Sequence, residues 1–493
     1  MLNLLPTLFA WVVTVILIAG AYPFALNLTR RLRHLEGDTR WLAPLLTLAI
    51  STGTLTLLMF WFGWLGIHLS VTVIVIGYTF IVGAGFFVTR LRQVESKSST
   101  AFTWKSLTVP ERLIVLACVI TTGAVLFTAL YYPLYRDDTL GIYRPFAVEM
   151  FTTGALVPLT GAESLYRTYP MLVPMAYTFA YLASSWENDY LAKLIPTLLS
   201  LGCVPAAYAL GKQMSTRLSG WSAAALLLII PTFGRWASSA YTDLPMAFFY
   251  TLTALFALRL WTTHSFLDAG LAGAMLGLAM WTKNAALLGV PLMIGWLLWA
   301  MLNRRIRFSQ LSISLIAVGC VGGAWYVRNM IGAGFIVPDT AWTEQAERSL
   351  NTLLVYFTLP NNFGITGLAL WIGWLGGLMI LIRKRFNAPQ YALALVFTVP
   401  FFAAWWLFVS YDPRFLLLFL PIQCALAGTV LAGLWNHITQ NQRPALSRIA
   451  LGIMIVFAIT NAWYSAEFKD EFLRNPLMSH AEKVELTRGD SLP

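Results

Sequence analysis

The chain has 493 residues, of which 58% are hydrophobic and 11% charged, and its mean hydropathy is +0.68. So few charges cannot cover the surface of a water-soluble protein, which excludes the soluble globular classes and leaves a membrane protein. The formal charge of +11 would otherwise suggest nucleic acid. Here the basic residues gather between apolar runs, which suits membrane topology and attraction to anionic lipid.

Many apolar runs reach the ~20 residues that cross a bilayer, and none has the short alternating pattern of a spanning barrel, so the prediction is an all-α integral membrane protein. The runs predict about fourteen spans: 4–27, 42–66, 69–89, 112–132, 190–210, 219–234, 244–261, 267–282, 284–302, 309–326, 365–382, 390–410, 415–434 and 448–464. Tight junctions leave twelve or thirteen open. The first run has no basic residues before it and no small-residue cleavage site of the usual kind, so it reads as a retained helix. Cys118, Cys203, Cys320 and Cys424 lie within apolar runs at wide spacing and read as small hydrophobes, not as a disulfide framework or a zinc site.

The basic clusters "RRLRHLEGDTR", "RLRQVESKSSTAFTWKS", "NRRIRF" and "RKRFNAPQ" all fall on one side of this arrangement. That side is expected to be cytoplasmic. Both termini and three long segments then lie outside: 132–189, about 327–363, and the tail after about 464. The second segment contains "IVPDTAWTEQAERSL", whose amphipathic look suits a helix on the membrane surface.

The outer ends of the spans carry the chemistry. "YYPLYRDDTLGIYRPFAVEM" places Asp137 and Asp138 just after a span, followed by Tyr143, Arg144, Glu149, Glu163, Tyr166, Arg167 and Tyr169. Adjacent carboxylates raise each other's proton affinity, which suits one of them to general-base work. A solvated helix end is the plainer account of a lone aspartate. In "RWASSAYTDLPMAFF", Asp243 precedes Pro245 and reads equally as a helix cap or a site residue. Lys283, in "LAMWTKNAALLG", either reaches the headgroups or holds a lipid phosphate. Arg328 follows an aromatic pair in "GGAWYVRNMIGAGFIVP", and Arg414 follows Asp412 in "YDPRFLLLFLP"; an interface anchor and a local ion pair are their respective alternatives. Together these residues suit an acceptor to be deprotonated and a phosphate to be held.

"YRDDTLGIYRPFAVEMFTTGALVP" followed by "YRTYPMLVPM" resembles the first outer loop of polytopic, lipid-dependent glycosyltransferases, namely the protein O-mannosyltransferases and lipid A aminoarabinose transferases of the family 39 type. "GLAMWTKNAAL", "AWYVRNMIGAGFIVP" and "RFLLLFLP" resemble further segments of that group, in the same order, over roughly 111–433. The resemblance implies a GT-C multi-helix bundle with its active site in the outer loops. It implies a polyprenyl-phosphate sugar donor, inversion at the anomeric carbon, and a bacterial inner-membrane location with the site facing outward. Position by position it maps the acidic pair onto Asp137 and Asp138 and a further acid onto Asp243; catalytic roles are expected for all three, with Asp137 as the base and Asp138 open to exchanging roles with it. Donor-phosphate roles fall to Lys283, Arg328 and Arg414; the density of polar and aromatic groups in the first outer segment, not the resemblance, makes Tyr143, Arg144, Glu149, Arg167 and Tyr169 the expected substrate pocket. The domain expectation follows: 1–110 as a three-helix membrane appendage, 111–335 as the catalytic core, and 336–493 as the second outer loop, last helices and tail.

Three features depart from the group. Arg167 stands near a position where relatives often have lysine, three spans precede the acidic pair, and long soluble insertions are missing. The expected partners are the lipid-linked donor, a glycan, lipid or protein acceptor, and membrane lipid, without nucleic acid. No cofactor is assigned; the carboxylates leave a divalent metal open, and no histidines pair at ligand spacing. Two alternatives remain: a polyprenyl-linked glycan polymerase or ligase, and a transporter or flippase of lipid-linked sugars. The first usually carries arginines and a histidine in a large outer loop; the second would show internal repeats and broken mid-membrane helices.

Overall fold

The structure is a computed structural model that describes residues 4–32, 39–90, 107–159, 164–338, 344–353, 362–410, 412–439 and 444–488. Glu163 and part of the expected surface helix (339–343) lie outside the described residues, as do most of the first two basic clusters.

Among the described residues the chain is helical. In order the helices are α1 (Leu4–Gly20), α2 (Tyr22–Arg31), α3 (Thr39–Trp64), α4 (Val71–Arg90), α5 (Val109–Tyr131), α6 (Arg144–Thr153) and α7 (Leu172–Ser184). Then come α8 (Leu194–Met214), α9 (Arg217–Leu228), α10 (Pro231–Ala237), α11 (Asp243–Thr263), α12 (Phe266–Thr282), α13 (Gly289–Leu302), α14 (Phe308–Val318) and α15 (Ala324–Ala333). The last six are α16 (Ile365–Arg383), α17 (Pro389–Phe408), α18 (Leu420–Thr439), α19 (Pro444–Ser465), α20 (Lys469–Arg474) and α21 (His480–Arg488). Among the described residues 10 helical segments are long and apolar enough to cross a membrane, or up to 11 if one bent pair is a single span. The chain is therefore a multi-pass membrane protein; this falls short of fourteen by that measure, although every expected span coincides with helix.

Local chemistry explains the differences. The expected span 219–234 bends by 72° between α9 and α10. Pro231 pushes Ile230 into extended backbone, and the helix cannot run through. The expected span 415–434 begins as a tight 3-10 turn over Pro413–Leu418, and regular helix starts only at Leu420. Pro421 has no N–H to donate and its ring crowds the preceding turn, so one continuous helix is blocked. The first outer segment is not an open loop. It contains α6 and the almost wholly buried α7, whose apolar residues face α1, α3 and α8.

The N-terminal helices are built into this core. The Trp281 indole on α12 donates to Thr56 Oγ1 on α3 at 3.0 Å, and the Phe60 ring packs tilted against Trp281 and edge-to-face against Trp325. Gly154 adopts φ +63°, and a Cβ there would strike the His68 ring. The backbone N–H of Leu69 closes the same contact on the Gly154 carbonyl at 2.8 Å.

Close backbone approach fixes α12 against the strand of helix that follows α13. Gly273 and Gly277 stand one turn apart, and a Cβ on Gly273 would lie 2.1 Å from the Ser314 carbonyl oxygen. Small residues at this spacing let membrane helices meet through their backbones. Gly273→Val is expected to destabilise the protein by about 1–3 kcal/mol through overpacking, read as a lowered melting temperature in detergent. Gly270→Ala on the same helix, where a Cβ would meet only the Ile313 side chain at an ordinary 3.8 Å, should leave it unchanged.

Candidate active site

The acidic pair is positioned from both ends. α5 stops at Tyr131, and the buried Lys193 ammonium caps it, donating to the carbonyls of Thr128, Tyr132 and Pro133 at 3.2–3.4 Å. The chain then turns, and Arg136 pairs with Glu467 from the C-terminal tail while its guanidinium lies 4.9 Å from the Trp236 ring. Beyond the pair, Thr139–Tyr143 forms a single π-type turn, a geometry that re-aims side chains.

A turn before α11 holds this segment at three points. The Asp138 N–H donates to the Tyr241 hydroxyl at 3.0 Å. Thr139 Oγ1 donates to the Ser239 carbonyl, and the Tyr143 hydroxyl meets Thr242 Oγ1 at 3.1 Å. Ala240 in that turn has φ +62°, an uncommon left-handed conformation for a residue with a Cβ. Its carbonyl accepts the buried Tyr177 hydroxyl of α7 at 2.6 Å.

Two ion pairs bring distant segments together. Arg414 Nη1 donates to Asp138 Oδ2 at 2.8 Å, and its Nε reaches Asp412 Oδ2 at 3.2 Å. The guanidinium also lies over Trp236, Tyr241 and Phe415. α12 ends at Thr282 because Lys283 is extended (φ −156°, ψ 138°), and Lys283 Nζ donates to Asp243 Oδ1 at 2.5 Å. Burial acts to lower the Arg414 pKa, yet Asp243, Asp138 and Asp412 hold it above its ordinary value. Burial raises Asp412 against the pull of Arg414. The Tyr143 and Tyr241 phenols are also raised, first by burial and then by Asp138, so both stay neutral.

A cavity of about 460 Å³ lies between these groups. Asp138, Tyr143, Thr242, Lys283 and Arg414 form its polar part, Tyr166 and Tyr169 its aromatic part, and Val337, Pro338, Phe408 and Val409 an apolar side. Asp243 sits buried behind Lys283.

Some expected residues stand elsewhere. Asp137 is exposed and does not line the cavity; its neighbour does. Arg328 is buried, donates to the Val157 carbonyl and packs over Trp325, so it holds the first outer segment and not the cavity wall. Arg144 pairs with Asp189 and Glu187, and Arg167 pairs with Glu149 at 3.1 Å, all outside the cavity. Carboxylate partners hold Arg144 and Arg167 away from the cavity, and a backbone carbonyl holds Arg328. Sequence reasoning missed Tyr241, Thr242, Asn284 and Phe415; the first two sit in the quoted turn before Asp243, where three hydrogen-bonding side chains in a row were the available signal. Among the described residues no three His, Cys, Asp or Glu side chains group as metal ligands.

Comparison with known proteins fits this architecture. Residues 169–322 match the family model described as dolichyl-phosphate-mannose-protein mannosyltransferase. The structure of ArnT from Cupriavidus metallidurans bound to undecaprenyl phosphate superposes with TM-score 0.53 at 16% identity, covering 72% of this chain and 75% of that one. The apo form of ArnT from the same organism gives 0.52 at 18% identity, covering 66% of this chain. The fold is GT-C. The chain spans 60% of the length of the apo ArnT chain, and no curated protein sequence matches it. The matched family segment contains Tyr169, Asp243 and Lys283 but neither the acidic pair nor Arg414. In GT-C terms, the cavity lies where the first outer segment meets the starts of α11, α13 and α18.

Asp243 is buried with Lys283 as its cation, so removing that cation strands a carboxylate. Lys283→Met is expected to cost about 3 kcal/mol of stability, and adding Asp243→Asn should recover part of it. Thermal unfolding of the two variants in detergent reads both effects.

Proposed function

We propose that the chain is a membrane glycosyltransferase that moves a sugar from a polyprenyl phosphate to an acceptor on the extracytoplasmic side. The observation that carries the reading is one cavity in which a carboxylate, Asp138, faces two cations, Lys283 and Arg414, beside an apolar wall. The GT-C fold and the undecaprenyl phosphate bound by ArnT support it, and the basic clusters on the opposite side support the orientation.

In this mechanism Asp138, not the exposed Asp137, is the general base. Arg414 engages Oδ2, and Oδ1 takes the proton of an acceptor hydroxyl or amine. The acceptor atom attacks the anomeric carbon as the bond to the phosphate oxygen breaks on the opposite face, so configuration inverts. The polyprenyl phosphate leaves with the bonding electrons, and Lys283 and Arg414 stabilise the growing charge. Arg414 is shared with Asp138 before the donor arrives. A phosphate that draws Arg414 toward itself loosens its hold on Asp138, so donor binding and release of the base are linked. The exposed Asp137, next to Asp138 in the chain, orients the acceptor in this reading. Asp138 and Asp412 are each held by Arg414, and Asp243 by Lys283.

Purified protein in nanodiscs, given a panel of polyprenyl-phosphate sugars, should release polyprenyl phosphate from at least one of them. No turnover of any donor, with binding of a polyprenyl-diphosphate oligosaccharide instead, would replace this reading with the polymerase or flippase alternative. Asp138→Asn should slow the reaction ~10²–10⁴-fold, while Asp137→Asn should chiefly raise the KM for the acceptor. The opposite ranking would return the base to Asp137.

A further inference from the structure

A second cavity, of about 320 Å³, opens between α5, α8 and α9, at the end of the bundle away from Asp138. Its size lies in the range of small-ligand pockets. Val115, Val119, Leu201 and Val204 make its walls, and Pro205 breaks the α8 hydrogen-bond ladder where the helices part. Trp221 closes one end. Its ring packs against Tyr208 at 4.7 Å, it is only 5% exposed, and its indole N–H has no hydrogen-bond partner. A buried, unpartnered N–H is rare and calls for an explanation.

The same end of the bundle is basic. α5 begins there with Glu111 and Arg112, α8 ends with Lys212, and α9 begins with Arg217. Arg217 pairs with Glu111 at 2.6 Å and is 41% exposed. Lys212 follows Tyr208 by one helical turn, so both lie on one face of α8. Among the described residues at these helix ends Arg112, Lys212 and Arg217 stand with Glu111, and the N-terminus of α9 adds positive potential.

We propose that this groove holds an anionic phospholipid, with an acyl chain between α5 and α8 and the headgroup phosphate on Lys212 and Arg217. An apolar slot ending in a basic rim matches an acidic amphiphile at both ends, and the Trp221 N–H supplies a donor for a headgroup or ester oxygen. Basic pockets between spanning helices take acidic headgroups on the cytoplasmic side, where the basic clusters place this rim. The inference does not rest on the glycosyltransferase reading, since the groove is remote from Asp138 and Lys283.

The test uses the full chain in detergent, with equal amounts of phosphatidylglycerol and phosphatidylcholine, followed by native mass spectrometry. Phosphatidylglycerol adducts should outlast phosphatidylcholine adducts. Lys212→Gln should reduce that preference about fivefold, and Lys212→Arg should keep it. Val119→Trp alters an exposed, lipid-facing position, so it fills the groove without disturbing the core, and it should abolish the retained lipid. Equal retention of the two lipids by the wild type would overturn the proposal. So would a preference that survives both Lys212→Gln and Val119→Trp. Loss in Lys212→Gln alone would reduce the site to surface charge and overturn the groove.

Discussion

An apolar bundle can bury a carboxylate only beside a cation, and that constraint organises the Asp138 end of the molecule. Asp138 follows α5, its cation Arg414 precedes α18, and of the two helices between, Asp243 opens α11 and Lys283 ends α12. Four separate segments are thereby tied at one place. The pairs work in a medium less screening than water, where each charge acts strongly on its neighbours. Arg414 shows this: burial opposes its charge, and three carboxylates together outweigh the burial.

Around the pairs lies a frame of hydrogen bonds to backbone. The "AWYVRN" segment is mostly such a frame. Trp325 and Asn329 both donate to the Thr168 carbonyl, Arg328 donates to that of Val157, and Tyr326 reaches the Met280 carbonyl and Asn284. The first outer segment and the Lys283 turn are thus held by one helix. The C-terminal tail braces the other side: Arg488 of α21 donates to the Leu134 carbonyl and pairs with Asp189, and Glu467 receives Tyr135 and Arg136. The acidic pair therefore sits between a tail contact at Arg136 and a turn contact at Tyr241.

The spans were legible because hydrophobic length is a strong signal and the bilayer demands it. Their breaks were less so. Pro231 and Pro421 were visible, but whether a proline kinks a helix or ends it depends on the packing around it. The site was half legible. Asp138, Asp243, Lys283 and Arg414 stood out as charges at span ends, and the fold brings them within contact. Arg328, Arg144 and Arg167 looked the same in sequence, and partners at Val157, Asp189 and Glu149 claim them instead. Which carboxylate or carbonyl meets a given arginine is a long-range fact, and no local pattern encodes it. Choosing between Asp137 and Asp138 was harder still, since adjacent residues share one local sequence and only the fold brings Arg414 to one of them.

The Arg259–Asp268 pair shows what separates a site from a lock. It has the same chemistry as the pairs at the cavity, with a contact of 2.8 Å and Thr263 donating to the second carboxylate oxygen at 2.6 Å. Its side chains are 1% and 0% exposed, against 12% and 34% for Arg414 and Asp138. Both charges are fully occupied where α11 turns into α12, and nothing else can reach them. At the cavity each pair has one accessible member: Asp138 for Arg414, and Lys283, 19% exposed, for Asp243. An ion pair closed on all sides can only hold two helices together. One with an open face can exchange a partner for a ligand, and two such pairs facing one cavity give that exchange both a carboxylate and a cation.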